Sequence, residues 1–250
     1  MDIPQRKMAL FTLAIYWPAL LVFAHVPVPQ SVRNAHVSDK CLHFLAYLVL
    51  TFLVWFSIKP RTKVNWRKIH VWLIFIGLTA YGGIDEIVQG YIGRSCDIMD
   101  LATNVTGILF GLLLLTFLSF LPAALLISGI VIFGIANVAK TNLAETFPLA
   151  YGVFYFFAYS IFTTFWIFNM DSIFSKKLAK LKWLITAAGF PICFLIIVRI
   201  SSFLLGKVIN TEDIIVPVAA ILLITSVSLL FDLYPRRIKK SIQIKQSENL

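Results

Sequence analysis

Eight long apolar runs constrain this chain more than any other feature, falling at about 8–26, 42–58, 71–89, 101–121, 123–139, 149–168, 183–205 and 214–233. A helix needs roughly 17 to 25 mostly apolar residues to cross a hydrocarbon core of about 30 Å, and each run meets that length. The runs are continuous and do not alternate polar with apolar, which favours spanning helices over a β-barrel. Composition agrees: 14% of the residues are charged and 59% hydrophobic, against about 25% charged in an average soluble domain. The expected fold is all-α, a multi-pass transmembrane helical bundle of about eight spans. Only Pro122 separates the fourth run from the fifth, so these two read as a tight hairpin or as one broken element. The first run is too long for a signal-peptide core and "AHV" is a poor cleavage site, so it reads as a retained anchor.

The net charge is +10, and where that charge sits decides its meaning. Sixteen of the 22 Lys and Arg residues precede the first run, lie between the second and third or the sixth and seventh, or follow the eighth. With eight spans these segments share one face, which the positive-inside rule makes cytoplasmic, together with both termini. The basic excess is then membrane topology and not a nucleic-acid footprint. No phosphate-cradling Gly loop or dinucleotide fingerprint occurs, so neither nucleic acid nor nucleotide is an expected partner. The three cysteines are too few for a disulfide framework.

Against this background two polar segments stand out, "SDKCLHFLAY" entering the second run and "DEIVQGYIGRSCDIMD" joining the third to the fourth. Both are expected on the face opposite the cytoplasm. Asp85 and Glu86 lie three to five residues before the end of the third run, roughly 5 to 8 Å below it at 1.5 Å per residue. Residues three and four apart share a helix face. Lys40, His43 and Tyr47 therefore form one stripe, Asp97, Asp100, Asn104, Gly107 and Gly111 a second, and Gly82, Asp85 and Gln89 a third. Glycines let membrane helices approach closely, so the stripes are expected to converge away from lipid.

Ionisable groups within spans are costly and are usually paired or functional. Asp85, Glu86, Asp97 and Asp100 outnumber the nearby cations Lys40 and Arg94. Three things can compensate: a protonated carboxylate, a divalent cation on oxygen ligands, or a cationic ligand. With a metal, Asp97 and Asp100 are the expected ligands, joined by His43, while Arg94 and Lys40 suit a phosphate. Asp85, Glu86 and His43 are the candidate acid–base groups, and Lys40, Tyr47, Gln89, Arg94 and Asn104 the candidate substrate contacts. No H-E-x-x-H spacing and no evident nucleophile–base pair accompanies them. The alternative is that these side chains only pack helices together.

"DKCLHFLAYLVLTFL" followed by "YGGIDEIVQGYIGRSCDIMDLATNVTGILFG" resembles the VanZ-like family, over roughly residues 8–121. The family pattern runs D-K-x-x-H-F-x-x-Y, then D-E-x-x-Q, then R-x-x-D-x-x-D-x-x-x-N-x-x-G-x-x-x-G. Here the first block is Asp39, Lys40, His43, Phe44 and Tyr47, and the second is Asp85, Glu86 and Gln89. The third runs from Arg94 through Asp97, Asp100 and Asn104 to Gly107 and Gly111. The family's namesake is associated with low-level resistance to teicoplanin, a lipoglycopeptide that targets cell-wall precursors. The resemblance implies a bacterial cytoplasmic-membrane protein whose partner is a membrane lipid or lipid-linked envelope precursor, and supplies no biochemical activity. It divides the chain into a four-span domain at 1–121, an additional four-span region at 122–234 and a polar cytoplasmic tail at 235–250.

Three functional readings remain open: an enzyme acting on a lipid-linked envelope intermediate, a non-enzymatic lipid or drug transporter or binding protein, and a structural membrane protein. Outside the polar layer, Arg199 is expected to snorkel to the interface. Glu145, Glu212 and Asp213 read as ordinary loop charges, and the many Phe and Trp as lipid-facing or interfacial residues.

Overall fold

Spanning helices satisfy their own backbone groups where water is absent, and helices are what the apolar runs form. The computed structural model of the chain describes residues 3–25, 38–59, 62–91, 97–138, 148–173 and 180–247, and among these there are eight helices and no strand. They are α1 (Ile3–His25), α2 (Asp39–Ile58), α3 (Ile69–Tyr91), α4 (Ile98–Phe117), α5 (Phe120–Val138), α6 (Pro148–Ile173), α7 (Lys180–Leu204) and α8 (Glu212–Ser247). Among the described residues, seven helices, α2 to α8, are long and apolar enough to cross a membrane. The chain forms two compact units, Met1–Thr146 and Phe147–Leu250.

In the first unit α2 is the central helix, and most of its second half is buried. It packs most extensively on α4, then on α1 and α5. The α2–α4 crossing is close because α4 presents glycines. A Cβ on Gly107 would come within 2.6 Å of the Phe44 carbonyl oxygen, and one on Gly111 within 3.1 Å of Thr51. α5 returns along α2 in the opposite direction. Phe120 packs on Phe52 and Phe56, with ring centroids 5.5 and 4.9 Å away, and Gly134 abuts Leu45. α1 runs beside both ends of α2 and α3: Arg6 Nε donates to the Ser57 carbonyl at 3.2 Å, and His25 lies 3.7 Å from Asp85. Its 23 residues extend about 35 Å at 1.5 Å per residue.

The fourth run ends earlier than its apolarity suggests. α4 stops at Phe117, Leu118 turns extended, and α5 begins at Phe120. Pro122 therefore does not break a helix but sits in the first turn of α5, where a missing N–H removes no intrahelical bond. The break between α4 and α5 makes the two runs separate helices.

Many aromatic residues, Phe11, Phe117, Phe157 and Phe203 among them, are exposed as lipid-facing residues would be, but some are not. Trp55 is fully buried and its indole N–H donates to the Thr62 carbonyl at 2.8 Å. Trp66 donates to Thr116 Oγ1 at 3.0 Å, and Val64 N–H to the Leu115 carbonyl at 2.9 Å. The segment before α3 is thereby tied to the ends of α2 and α4 by part-buried polar bonds, which lipid could not supply.

The second unit packs α8 against α6 and α7, and it corrects two expectations. Arg199 does not snorkel: its side chain is 9% exposed, its Nη1 lies 3.7 Å from Asp213 and donates to the Tyr151 hydroxyl at 3.2 Å. The guanidinium also sits 5.1 Å from the Tyr155 ring centroid. Asp213 is no ordinary loop charge, since it is buried and accepts from the Asn210 N–H at 2.8 Å. The partner carboxylate on the next helix is what holds the arginine inside.

Candidate functional site

The polar stripes meet at the end of the first unit where α2 and α4 begin and α3 ends. Two caps position them. Ser38 Oγ accepts from the Cys41 N–H at 3.4 Å and starts α2, and Asp97 accepts from the Met99 N–H at 2.8 Å and starts α4. The same helix-start geometry aims Lys40 across the gap, where its ammonium donates to Asp97 Oδ2 and Asp100 Oδ1, each at 3.1 Å. The Met99 N–H, and then Lys40, hold the Asp97 carboxyl below the usual carboxylate range.

One turn deeper, His43 Nδ1 bonds Asn104 Oδ1 at 3.0 Å. Glu86 Oε1 lies 3.7 Å from the same nitrogen. Its carboxylate is 3% exposed, and neither oxygen has a partner at hydrogen-bonding geometry. Nε2 points the other way, 3.8 Å from Asp39 Oδ1.

Asp85 turns to the far side of α3. It accepts from Gln89 Nε2 at 3.0 Å and faces His25 Nε2 at 3.7 Å. Between the two carboxylates, Gly82 leaves room for Tyr47 and Asn104: a Cβ there would meet the Tyr47 hydroxyl at 3.3 Å and Asn104 Nδ2 at 3.5 Å. Both of those atoms are buried without a hydrogen-bond partner. Tyr47 itself is fully buried beside Tyr81, with ring centroids 6.1 Å apart.

The structure thus brings His43, Glu86 and Asn104 into one constellation, joins Lys40 to Asp97 and Asp100, and sets Asp85 with Gln89 apart from them. Arg94 lies outside the described residues. Sequence reasoning missed His25, whose signal is its place at the inner edge of a polar layer, closing the first apolar run. It also left Asp39 as a motif residue without a role, although its spacing of four from His43 puts both on one face. Among the described residues, the group able to share a cation is Asp39, His43 and Asp100, with one ligand atom of each within 4.8 Å of the others. Asp97, expected beside Asp100 as a ligand, is instead engaged by Lys40 and by the start of α4.

Residues 5–121 match the profile of the family described as VanZ/LLP1. Residues 5–121 are a VanZ/LLP1-family segment. No curated protein and no solved structure matches the chain. The matched segment holds α1 to α4 and all of the polar groups just described, while α5, which packs on α2 in the same unit, follows it. The described residues are all-helical, with seven helices long and apolar enough to cross a membrane, and the likeness to the VanZ/LLP1 family lies in residues 5–121.

Proposed function

We propose that the polar end of the first unit faces outward from a bacterial cytoplasmic membrane and binds, or acts on, the phosphate-bearing head of a lipid-linked cell-envelope intermediate. By this route it affects susceptibility to glycopeptides of the teicoplanin type. The supporting observation is Glu86: a buried carboxylate without a hydrogen bond, beside His43 and below the half-exposed Lys40. Buried acid beside imidazole suits proton transfer. Lys40 uses two of its three N–H donors on Asp97 and Asp100, leaving one for a phosphate oxygen, and Arg94 is the second anion contact.

Orientation follows from charge. Lys59, Lys63, Arg67 and Lys68 lie at the opposite end of α2 and α3 from the polar layer, and the positive-inside rule puts that end in the cytoplasm. A second reading has its own support: Lys40 ties α2 to α4 through two ion pairs, as polar packing alone would require.

Lipid extracts and teicoplanin susceptibility, compared between cells with and without the gene, separate the readings. The expected result is a changed level of a lipid-linked precursor, restored by the wild-type chain and not by a Glu86→Gln chain inserted to the same level. Equal restoration by Glu86→Gln favours the packing reading, and no change in lipid or susceptibility removes the proposal.

A further inference from the structure

Inside the second unit, Asn169, Ser202 and Thr225 each satisfy a polar side chain by donating to the carbonyl four residues earlier in their own helix. Arg199 is different. Its Nη1 faces Asp213 and the Tyr151 hydroxyl, while Nε and Nη2 are buried and have no hydrogen-bond partner. These two N–H groups lie along one edge of the planar guanidinium, the edge opposite Nη1, and form the parallel fork with which an arginine grips an anion. On α6, the Tyr159 hydroxyl is buried without a hydrogen-bond partner as well, and the Arg199 charge acts on it. We infer that the Nε–Nη2 edge of Arg199, together with Tyr159, binds one small monovalent anion of the chloride type.

The charge of the ligand follows from the donors. A guanidinium keeps its proton at any ordinary pH and its N–H groups only donate, so an acceptor must satisfy this edge. A water molecule placed there would need acceptors for its own two hydrogens, whereas an anion takes both N–H groups and the Tyr159 O–H with nothing left over. Asp213 does not block it, because that carboxylate stands 3.7 Å away on the Nη1 side. Lys207, in the turn after α7, adds to the positive potential: burial, and then the Arg199 charge, hold its ammonium below the ordinary value. Glu212, beside Asp213, is exposed.

The size and valence follow from burial. The side chain of Arg199 is 9% exposed, so the ligand has few atoms, and a lipid head with its glycerol and chains does not suit the place. Every buried charge is costly, and one arginine that already faces a carboxylate offsets at most one further negative charge. The site lies wholly in the second unit, apart from the residues on which the envelope reading rests.

Chlorine-35 nuclear magnetic resonance tests this on the full chain in detergent micelles, exchanged into chloride-free gluconate buffer. Titrated chloride should show saturable line broadening, and bromide should relieve it. Arg199→Lys keeps a cation opposite Asp213 but loses the fork, and should weaken binding by about tenfold or more. Tyr159→Phe keeps the ring and removes one donor, and should weaken it by about three- to tenfold. Lys63→Met, which removes an exposed cation of the first unit, should leave it within about twofold. If Arg199→Lys does not fold, the double variant Arg199→Met with Asp213→Leu removes both buried charges together and should bind no chloride. Binding that survives Arg199→Lys or the double variant overturns the inference, and so does a loss that Lys63→Met reproduces. A wild-type chain without saturable broadening at half-molar chloride, the result expected if water fills the edge, overturns it even if no variant folds.

Discussion

Arg199 and Asp213 make the clearest case at the scale of single residues. Both are nearly fully buried, 3.7 Å apart, and the guanidinium also has the Tyr151 hydroxyl and the Tyr155 face. Removing one member of a buried pair leaves the other charge without compensation, typically costing about 3–5 kcal/mol, whereas replacing both with apolar groups is often nearly neutral. Arg199→Met and Asp213→Leu should therefore each destabilise the second unit by about 3 kcal/mol. The double variant Arg199→Met with Asp213→Leu should lose much less than the sum. Denaturant unfolding of the four proteins in micelles gives the coupling energy directly, and additive losses would mean that the two groups do not form a pair. The same logic separates Asp85 from Glu86: neighbours in sequence, they point to different partners, Gln89 and His43, because consecutive helical residues are about 100° apart around the axis.

Helices in this protein are held by how closely their backbones approach. At Gly107 a methyl group would strike the Phe44 carbonyl oxygen at 2.6 Å and crowd the Leu48 nitrogen at 3.3 Å. Neither backbone atom can move without shifting α2, so Gly107→Ala should part α2 from α4 and cost about 1–3 kcal/mol. Gly83 is the matched control, on α3 with nothing within 4 Å of its Cβ position, and Gly83→Ala should be neutral or stabilising by about 0.5–1 kcal/mol through helix propensity. Thermal unfolding of both variants, with disulfide trapping between cysteines placed on α2 and α4, checks this. Equal behaviour of the two would show that close approach at Gly107 is not what joins the helices. The alternating three- and four-residue steps from Asp97 through Asp100, Asn104 and Gly107 to Gly111 were legible beforehand because a helix stacks residues three and four apart on one face. The end of α4 at Phe117 was not, since Leu118, where the helix ends, is itself apolar and the single Ser119 barely interrupts the apolar run.

For the whole molecule, the division into two compact units predicts that a fragment ending at Thr146 retains α1 to α5. It should insert and keep the Lys40–Asp100 approach, measured by cross-linking between the starts of α2 and α4. A fragment ending at Leu121 lacks all but the start of α5 and should unfold at lower temperature, because Leu45 loses its packing against Gly134. Equal stability of the two fragments would show that α5 adds nothing to the first unit. The sequence by itself determined that this is a bundle of spanning helices and that α2, α3 and α4 share a polar layer. Backbone groups in hydrocarbon must bond within their own helix, and charged side chains are too costly there to be scattered. Only the tertiary structure decided that Asp85 parts from Glu86, that Lys40 serves Asp97 and Asp100, that Trp55 is buried and that Arg199 finds Asp213. In a soluble helix polar and apolar faces differ and show which side packs. In a membrane the lipid-facing and core-facing sides are both apolar, so outside the polar and glycine stripes the rotation of each helix, and hence its partners, is set by packing that no periodicity records.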